Sequence, residues 1–319
     1  LNLGYIIKFT GLNMKKILLV GSSGFLGKNV FNQINKENEI YSISGKDDCD
    51  VSNISSFKSF VSDLDFDYMI NCAAFVGGIA YGYKYPAEML SVNSKIANNI
   101  YEIAKEHSVK LLINPIPNCV YPGHLNTYKE ENLWDGPPHE SVFNYALSKR
   151  MFIALGSSYY TQYNLSSCSV IMSNMYGPHD HFEENRSHAI GALIDKIYSA
   201  KINGQKTVDI WGTGRQIREW LYVKDGANAL IKCLNLSSGN YLFNIGEGKG
   251  ISILDLANLI KDIVGWDGDF NFDTTKPEGV LEKKVDGSIG KKIINWDPNY
   301  SLKDGVKETI DWYIENYGK

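Results

Sequence analysis

Short apolar runs alternate with helical patterns through the first half of the chain. Ile17 to Val20 is a continuous apolar run, which reads as a strand buried on both faces. Gly24 to Ile34 reads as the helix after it, and Glu39 to Ser44 and Tyr68 to Ala73 as the next two strands. Pro86 to His107 carries a long helical period with Pro86 in its first turn. Lys110 to Ile113 reads as strand four, before a loop rich in Pro, Gly and Asn that runs to about Phe143. Asn144 to Tyr163 is helical and Ser166 to Met172 is again strand-like. This alternation predicts an α/β fold: a doubly wound parallel sheet with helices on both faces.

After Tyr176 the pattern changes. A helix is expected from about Ser187 to Lys201, one strand-like stretch from Val208 to Val223, and helices at Ile251 to Val264 and Tyr300 to Tyr317. We expect a smaller mixed α/β domain for substrate over 176–319, and a nucleotide domain over 14–175 to which part of about 209–244 returns. Residues 1–13 read as an extension outside the fold, with Met14 as the natural start.

Composition narrows the class. The chain has 319 residues, 44% hydrophobic and 21% charged, ordinary for a globular protein. Its net charge of −4 offers no electrostatic footing for nucleic acid. No apolar run approaches the roughly 20 residues that span a bilayer, so no membrane partner is expected. The five cysteines are widely spaced and form no CxxC pair, which speaks against a disulfide framework or a metal site and for the reducing cytoplasm.

Two motifs carry chemistry. Gly21-Ser22-Ser23-Gly24-Phe25-Leu26-Gly27 lies between the first strand and the first helix. The first glycine allows the tight turn, the second lets a pyrophosphate approach the backbone, and the third lets helix and strand pack closely. A Rossmann-type dinucleotide site is therefore expected, with Ser23, Phe25 and Leu26 around it. At the end of strand two, Ser44 stands where an acid would hold the ribose of NAD, and Lys46 could meet a 2′-phosphate. That favours NADP(H) over NAD(H), although Asp47 and Asp48 pull the other way. Tyr145 and Lys149, four residues apart, share one helix face. A phenol is a poor acid at neutral pH, and the ammonium is expected to lower its pKa and to bond the cofactor ribose.

Together these motifs resemble the extended short-chain dehydrogenase/reductase family, and further stretches resemble its GDP-L-fucose synthase family. They are Ala73-Ala74-Phe75-Val76-Gly77-Gly78-Ile79, Cys119-Val120-Tyr121-Pro122, Asn174 to Asp180, Ser187-His188, Trp211 to Gly214, Arg218-Glu219-Trp220, and Lys276 to Gly279 followed by Lys283. The similarity runs from about Lys15 to the C-terminus. It implies an enzyme that epimerises C3 and C5 of a GDP-linked 4-keto-6-deoxy sugar and reduces its C4 ketone with NADPH. Cys119 and His188 would exchange the protons and Tyr145 would protonate the C4 oxygen, with a nearby cation depressing the thiol pKa. Taken singly, a cysteine after a strand is usually a small buried hydrophobe. The resemblance further implies that Asp50, Val51, Ala73, Ala74, Asn174 and His188 adjoin the cofactor. Val76, Gly77, Gly78, Asn174, Lys196, Trp211, Arg218 and Lys283 would adjoin the nucleotide-sugar. Homodimerisation through the helices at Pro86 to His107 and Asn144 to Tyr163 is implied as well.

Four positions depart from the family pattern. Pro117 replaces a serine that helps orient the ketone, leaving Asn118 as the adjacent donor. Met172 replaces a proline, Glu282 a basic residue and Lys196 an arginine. Two other readings follow: a C4 reductase or epimerase of another nucleotide-sugar, such as a GDP-deoxy-heptose, or a nucleotide-binding protein with catalysis impaired by Pro117.

Overall fold

The computed structural model describes residues 14–34, 38–183, 187–275 and 281–318. The extension at 1–13 and the Lys276 to Gly279 stretch lie outside the described residues. The chain opens with β1 (Lys16–Val20), α1 (Phe25–Gln33), β2 (Glu39–Ile43), α2 (Ile54–Val61), β3 (Tyr68–Asn71), α3 (Ile79–Lys84), α4 (Pro86–Glu106) and β4 (Leu111–Pro117). It continues through β5 (Thr127–Tyr128), α5 (Phe143–Tyr163), β6 (Ser167–Met172), β7 (Asn174–Tyr176), α6 (Ala189–Ile202), β8 (Thr207–Trp211) and β9 (Ile217–Tyr222). Last come α7 (Val223–Cys233), β10 (Asn240–Ile245), β11 (Gly250–Ser252), α8 (Ile253–Val264), β12 (Asp269–Asp273), β13 (Glu282–Val285), α9 (Ser288–Ile293) and α10 (Leu302–Tyr317).

Six parallel strands form the main sheet in the order β10-β6-β4-β3-β1-β2. One apolar cluster, including Leu18, Phe57, Ile100 and Phe152, packs on one side of it. A second, including Ile17, Val30, Ala227 and Phe243, packs on the other. Adjacent residues of β1 thus serve opposite clusters, as the alternation of side chains along a strand requires. The chain goes from β1 to β2 on one side and to β3 on the other. This opens a crevice at the carboxyl ends of β1 and β3, where doubly wound sheets bind ligands. A second sheet, β11-β9-β13-β5 with β7 beside β9, and the pair β12-β8 complete the architecture. The third apolar cluster, from Tyr176 to Tyr313, lies among the later elements.

Strand four runs farther than its prolines suggest, to Pro117 rather than Ile113. The Leu112 amide donates to the Ser166 carbonyl next to β6, so odd-numbered amides of β4 face β3. The register with β3 ends at Ile113. Pro115 and Pro117 therefore withhold amides only where no ladder remains, and both stay in register with β6. The single stretch expected at Val208 to Val223 is instead two strands, parted by a turn in which Gly212 and Gly214 have φ of 74° and 71°. Helices α2, α3, α7 and α9 are additions. The Asn53 side chain caps α2 by accepting from the amides of Ser55 and Ser56.

Candidate active site

The glycine turn has a geometry that could receive an anion. The amides of Gly21 and Ser22 both donate to the Ile43 carbonyl at 2.8 and 2.9 Å, tying the turn after β1 to the end of β2. A Cβ on Gly27 would fall 2.0 Å from the Gly21 carbonyl oxygen, so close packing alone demands glycine there. Gly24 differs. Its φ is −72°, and a Cβ would meet only the Gly21 oxygen at 3.5 Å. Gly24 is the N-cap of α1, and among the described residues no side chain caps that end, so the first helical amides could receive a ligand. The fold thus leaves at Gly24 the room that a pyrophosphate needs, and Phe25 and Leu26 begin the helix beside it.

At the end of β2, the Ser23 hydroxyl donates to the Ser44 carbonyl, and Ser44 donates from both amide and hydroxyl to Asp48. Lys46 is exposed, 4.0 Å from a carboxylate oxygen of Asp50. The other Asp50 oxygen accepts from the Ser52 amide and hydroxyl, and Val51 is buried beside it. Ala73 and Ala74 follow β3. The Ala73 backbone packs so closely on Gly21 that a Cβ there would lie 2.7 Å from the Ala73 nitrogen. Asn93 of α4 clamps this loop through both the amide and the carbonyl of Phe75, ahead of Val76, Gly77 and Gly78. Gly78 caps α3.

Tyr145 and Lys149 lie in the first two turns of α5. Lys149 is 4% exposed, and its ammonium lies 4.8 Å from the ring centre of Phe152 and 5.6 Å from that of Tyr145. Burial lowers its pKa to about 8, against the pull of the Cys119 and Cys72 thiols. Burial also raises the Tyr145 phenol, and Cys119 adds to the rise. The Cys119 thiol is pushed up to about 12 by burial, with Lys149 and Lys283 acting in the opposite sense. Both sequence expectations about these acids are thereby corrected: desolvation raises the half-buried phenol, with no cation acting against it, and outweighs Lys149 and Lys283 at the half-buried thiol, so neither is depressed.

Electrostatics therefore couples Cys119, Tyr145, Lys149 and Lys283 in one cluster. Lys283 is in register with Arg218 across β13 and β9. Burial first, then the Arg218 charge, lowers its pKa. Two cations face each other on neighbouring strands, an arrangement that suits a diphosphate. Asn118 donates to the Asn174 side-chain oxygen at 3.4 Å, and Asn174 donates to the Glu219 carbonyl at 3.1 Å. His188 is apart from this bonding pattern. Its ring, 52% exposed at the N-cap of α6, meets both carboxylate oxygens of Asp180 at 3.3 Å. That hydrogen bond raises its pKa against desolvation. The Lys196 ammonium lies 5.6 Å from the ring centre of Trp211, which is 57% exposed at the end of β8.

The partners of two supporting residues, both inside the stretches named above, are not legible in the sequence. Asp180 stands eight positions before His188, a spacing with no local meaning. The Glu219 carboxylate, 1% exposed, accepts from the amides of Val285, Glu247 and Gly248 and so holds β13 against β9. It lies beside Arg218 in the sequence, but the carboxylate's partners are remote in the chain.

A glycine turn at the switch point of a parallel sheet, with a tyrosine-lysine pair on the helix leading into β6, defines a dinucleotide-dependent enzyme of the short-chain dehydrogenase/reductase type. The model of the NAD dependent epimerase/dehydratase family matches residues 17–246. GDP-L-fucose synthase 1 of Arabidopsis thaliana is 34% identical over 94% of each chain. A GDP-L-fucose synthetase from Naegleria fowleri, solved bound to NADP, superposes with a TM-score of 0.86 at 28% identity over 97% of each chain. A GDP-6-OMe-4-keto-L-xylo-heptose reductase from C. jejuni gives a TM-score of 0.87 at 25% identity, covering 95% of this chain and 98% of that one. The chain belongs to the NAD dependent epimerase/dehydratase family and, within it, to the GDP-L-fucose synthase group.

Proposed function

We propose that this enzyme epimerises C3 and C5 of a GDP-linked 4-keto-6-deoxy hexose and then reduces its C4 ketone with NADPH. The observation that carries the reading is the coupled cluster of Cys119, Tyr145, Lys149 and Lys283 at the carboxyl ends of the main sheet. The names of the similar proteins support the substrate class and the cofactor. The dinucleotide is held by the turn from Gly21 to Gly27, by Ser44 and Lys46 at the adenosine phosphate, by Asp50 and Val51 at the adenine, and by Ala73 and Ala74. When bound it supplies the hydride for C4. Asn174 and His188 adjoin it and the sugar. Arg218 and Lys283 take the diphosphate. Val76, Gly77, Gly78, Lys196 and Trp211 line the rest of the substrate site.

A C4 ketone acidifies the hydrogens on C3 and C5. Cys119 acts in its thiolate form, which desolvation disfavours and Lys149 and Lys283 favour, and removes a proton from one face of the sugar. His188, kept protonated to higher pH by Asp180, returns one from the other. Tyr145 then gives its proton to the C4 oxygen, with the Asn118 amide polarising the ketone where Pro117 has no donor. Lys149 holds the ribose and a positive charge beside the phenol.

The test is NADPH absorbance and product analysis with GDP-4-keto-6-deoxy-mannose, in D2O. Oxidation together with deuterium at C3 and C5 is expected, and Tyr145→Phe should abolish oxidation while retaining NADPH binding. Normal turnover in that variant would remove Tyr145 from the mechanism. The fold likeness to a heptose reductase supports a second reading, a C4 reductase of a GDP-heptose. Oxidation with a 4-keto heptose alone, without C3 and C5 exchange, would favour it. We further propose a homodimer that pairs α4 and α5. Leu90 and Ala154 are exposed on these helices, and Leu147 and Met151 are only partly buried. The free thiols fit a reducing compartment such as the cytoplasm.

A further inference from the structure

We infer that Arg150 is a positioning residue for Cys119, a guanidinium that fastens the turn bearing the thiol onto the helix bearing Tyr145 and Lys149. The inference rests on the proposed role of Cys119. Arg150 directly follows Lys149 on α5 and is 8% exposed. Its Nε donates to the Val120 carbonyl at 2.7 Å, and one terminal nitrogen donates to the carbonyls of Leu133 and Gly136 at 2.8 and 2.9 Å. The guanidinium carbon lies 5.3 Å from the ring centre of Trp134. Among the described residues no carboxylate pairs with it.

A buried cation held only by carbonyls is an expensive way to fill space, and an apolar side chain of the same volume would pack at lower cost. What the guanidinium adds is direction. Its planar fork reaches two separate stretches of the long loop at once, and a lysine ammonium lacks that geometry. One of those stretches is the turn of Asn118, Cys119 and Val120, closed by the Tyr121 amide donating to the Asn118 carbonyl at 3.1 Å. The carbonyl that Arg150 holds is the first one after Cys119. Arg150 therefore sets the distance between the proton-abstracting thiol and the phenol and ammonium of the next reaction stage.

The experiment compares Arg150→Met and Arg150→Lys with the parent enzyme. It measures iodoacetamide labelling of each cysteine by mass spectrometry, solvent deuterium entry at C3 and C5, and NADPH binding. A freed turn should open more often, so Cys119 labelling should rise about tenfold in Arg150→Met, the size expected for losing one buried hydrogen bond. Deuterium entry should fall about 100-fold, as for a misplaced catalytic group. NADPH binding should hold, and Arg150→Lys should lie between. Cys168 and Cys233, both fully buried, are internal controls: their labelling should not change. Unchanged Cys119 labelling, or equal increases at all three thiols, overturns the positioning role. A parallel Cys119→Ser protein separates the two ideas. If it keeps the exchange, the base assignment fails, while the labelling comparison still decides what Arg150 does.

Discussion

At the scale of single residues, the site is built against stability. Lys149 has a folded pKa of about 8 against an ordinary 10.5, because its charge is buried. Between these values the unfolded chain holds a proton that the folded chain has lost, so stability rises with pH across this window. The full penalty is present below it. At 1.36 kcal/mol per unit, that penalty is about 3 kcal/mol. Lys149→Met should therefore raise the melting temperature at pH 7, by an amount that shrinks as the pH approaches 10, while abolishing reduction. A lower melting temperature in that variant would contradict the assignment of a costly buried charge. The sign for His188 is opposite: Asp180 raises its pKa, so the acid form survives to higher pH. Asp180→Asn should move the alkaline limb of the C3 and C5 exchange profile toward lower pH, and an unmoved limb would exclude His188 as the proton donor. Tyr145 and Lys149 were legible because four residues make one helical turn. The Asp180–His188 pair and the Glu219 carboxylate were not, since their partners meet only after the chain has turned back on itself.

At the scale of elements, two glycines of one turn serve different ends. Gly27→Ala drives a Cβ into the Gly21 carbonyl and should destabilise the enzyme by about 1–3 kcal/mol, the usual cost of overpacking. Gly24→Ala meets no such obstacle. Its melting curve should stay close to that of the parent, whereas its NADPH dissociation constant, measured by fluorescence titration, should rise at least about tenfold because a methyl occupies the approach to the phosphates. Equal affinity in the two proteins would mean that nothing comes near Gly24. In strand four, tertiary context overrides local propensity. Pro115 and Pro117 argue for a strand end on propensity, and only the stagger of β3 makes them harmless. Helix α2 was signalled by Asn53 and the spacing of Phe57 and Val61, a pattern short enough to be missed between two strands.

At the scale of the whole molecule, the proposed pairing of α4 and α5 makes a sharp expectation. The parent should elute at twice the chain mass in size-exclusion chromatography with light scattering, and Leu90→Glu with Ala154→Arg should give a monomer that still binds NADPH. A parent eluting as a monomer would remove the interface. Alternating strands and helices, the glycine turn and the tyrosine-lysine spacing are local properties, and each was determined by sequence alone, because hydrophobic period, turn conformation and helical pitch act over a few residues. How acidic these groups are was decided elsewhere. Proximity to a cation suggested a depressed phenol and thiol, but the fold leaves both half-buried and desolvates them. Desolvation depends on everything packed around a group, and that sum exists only in the folded chain.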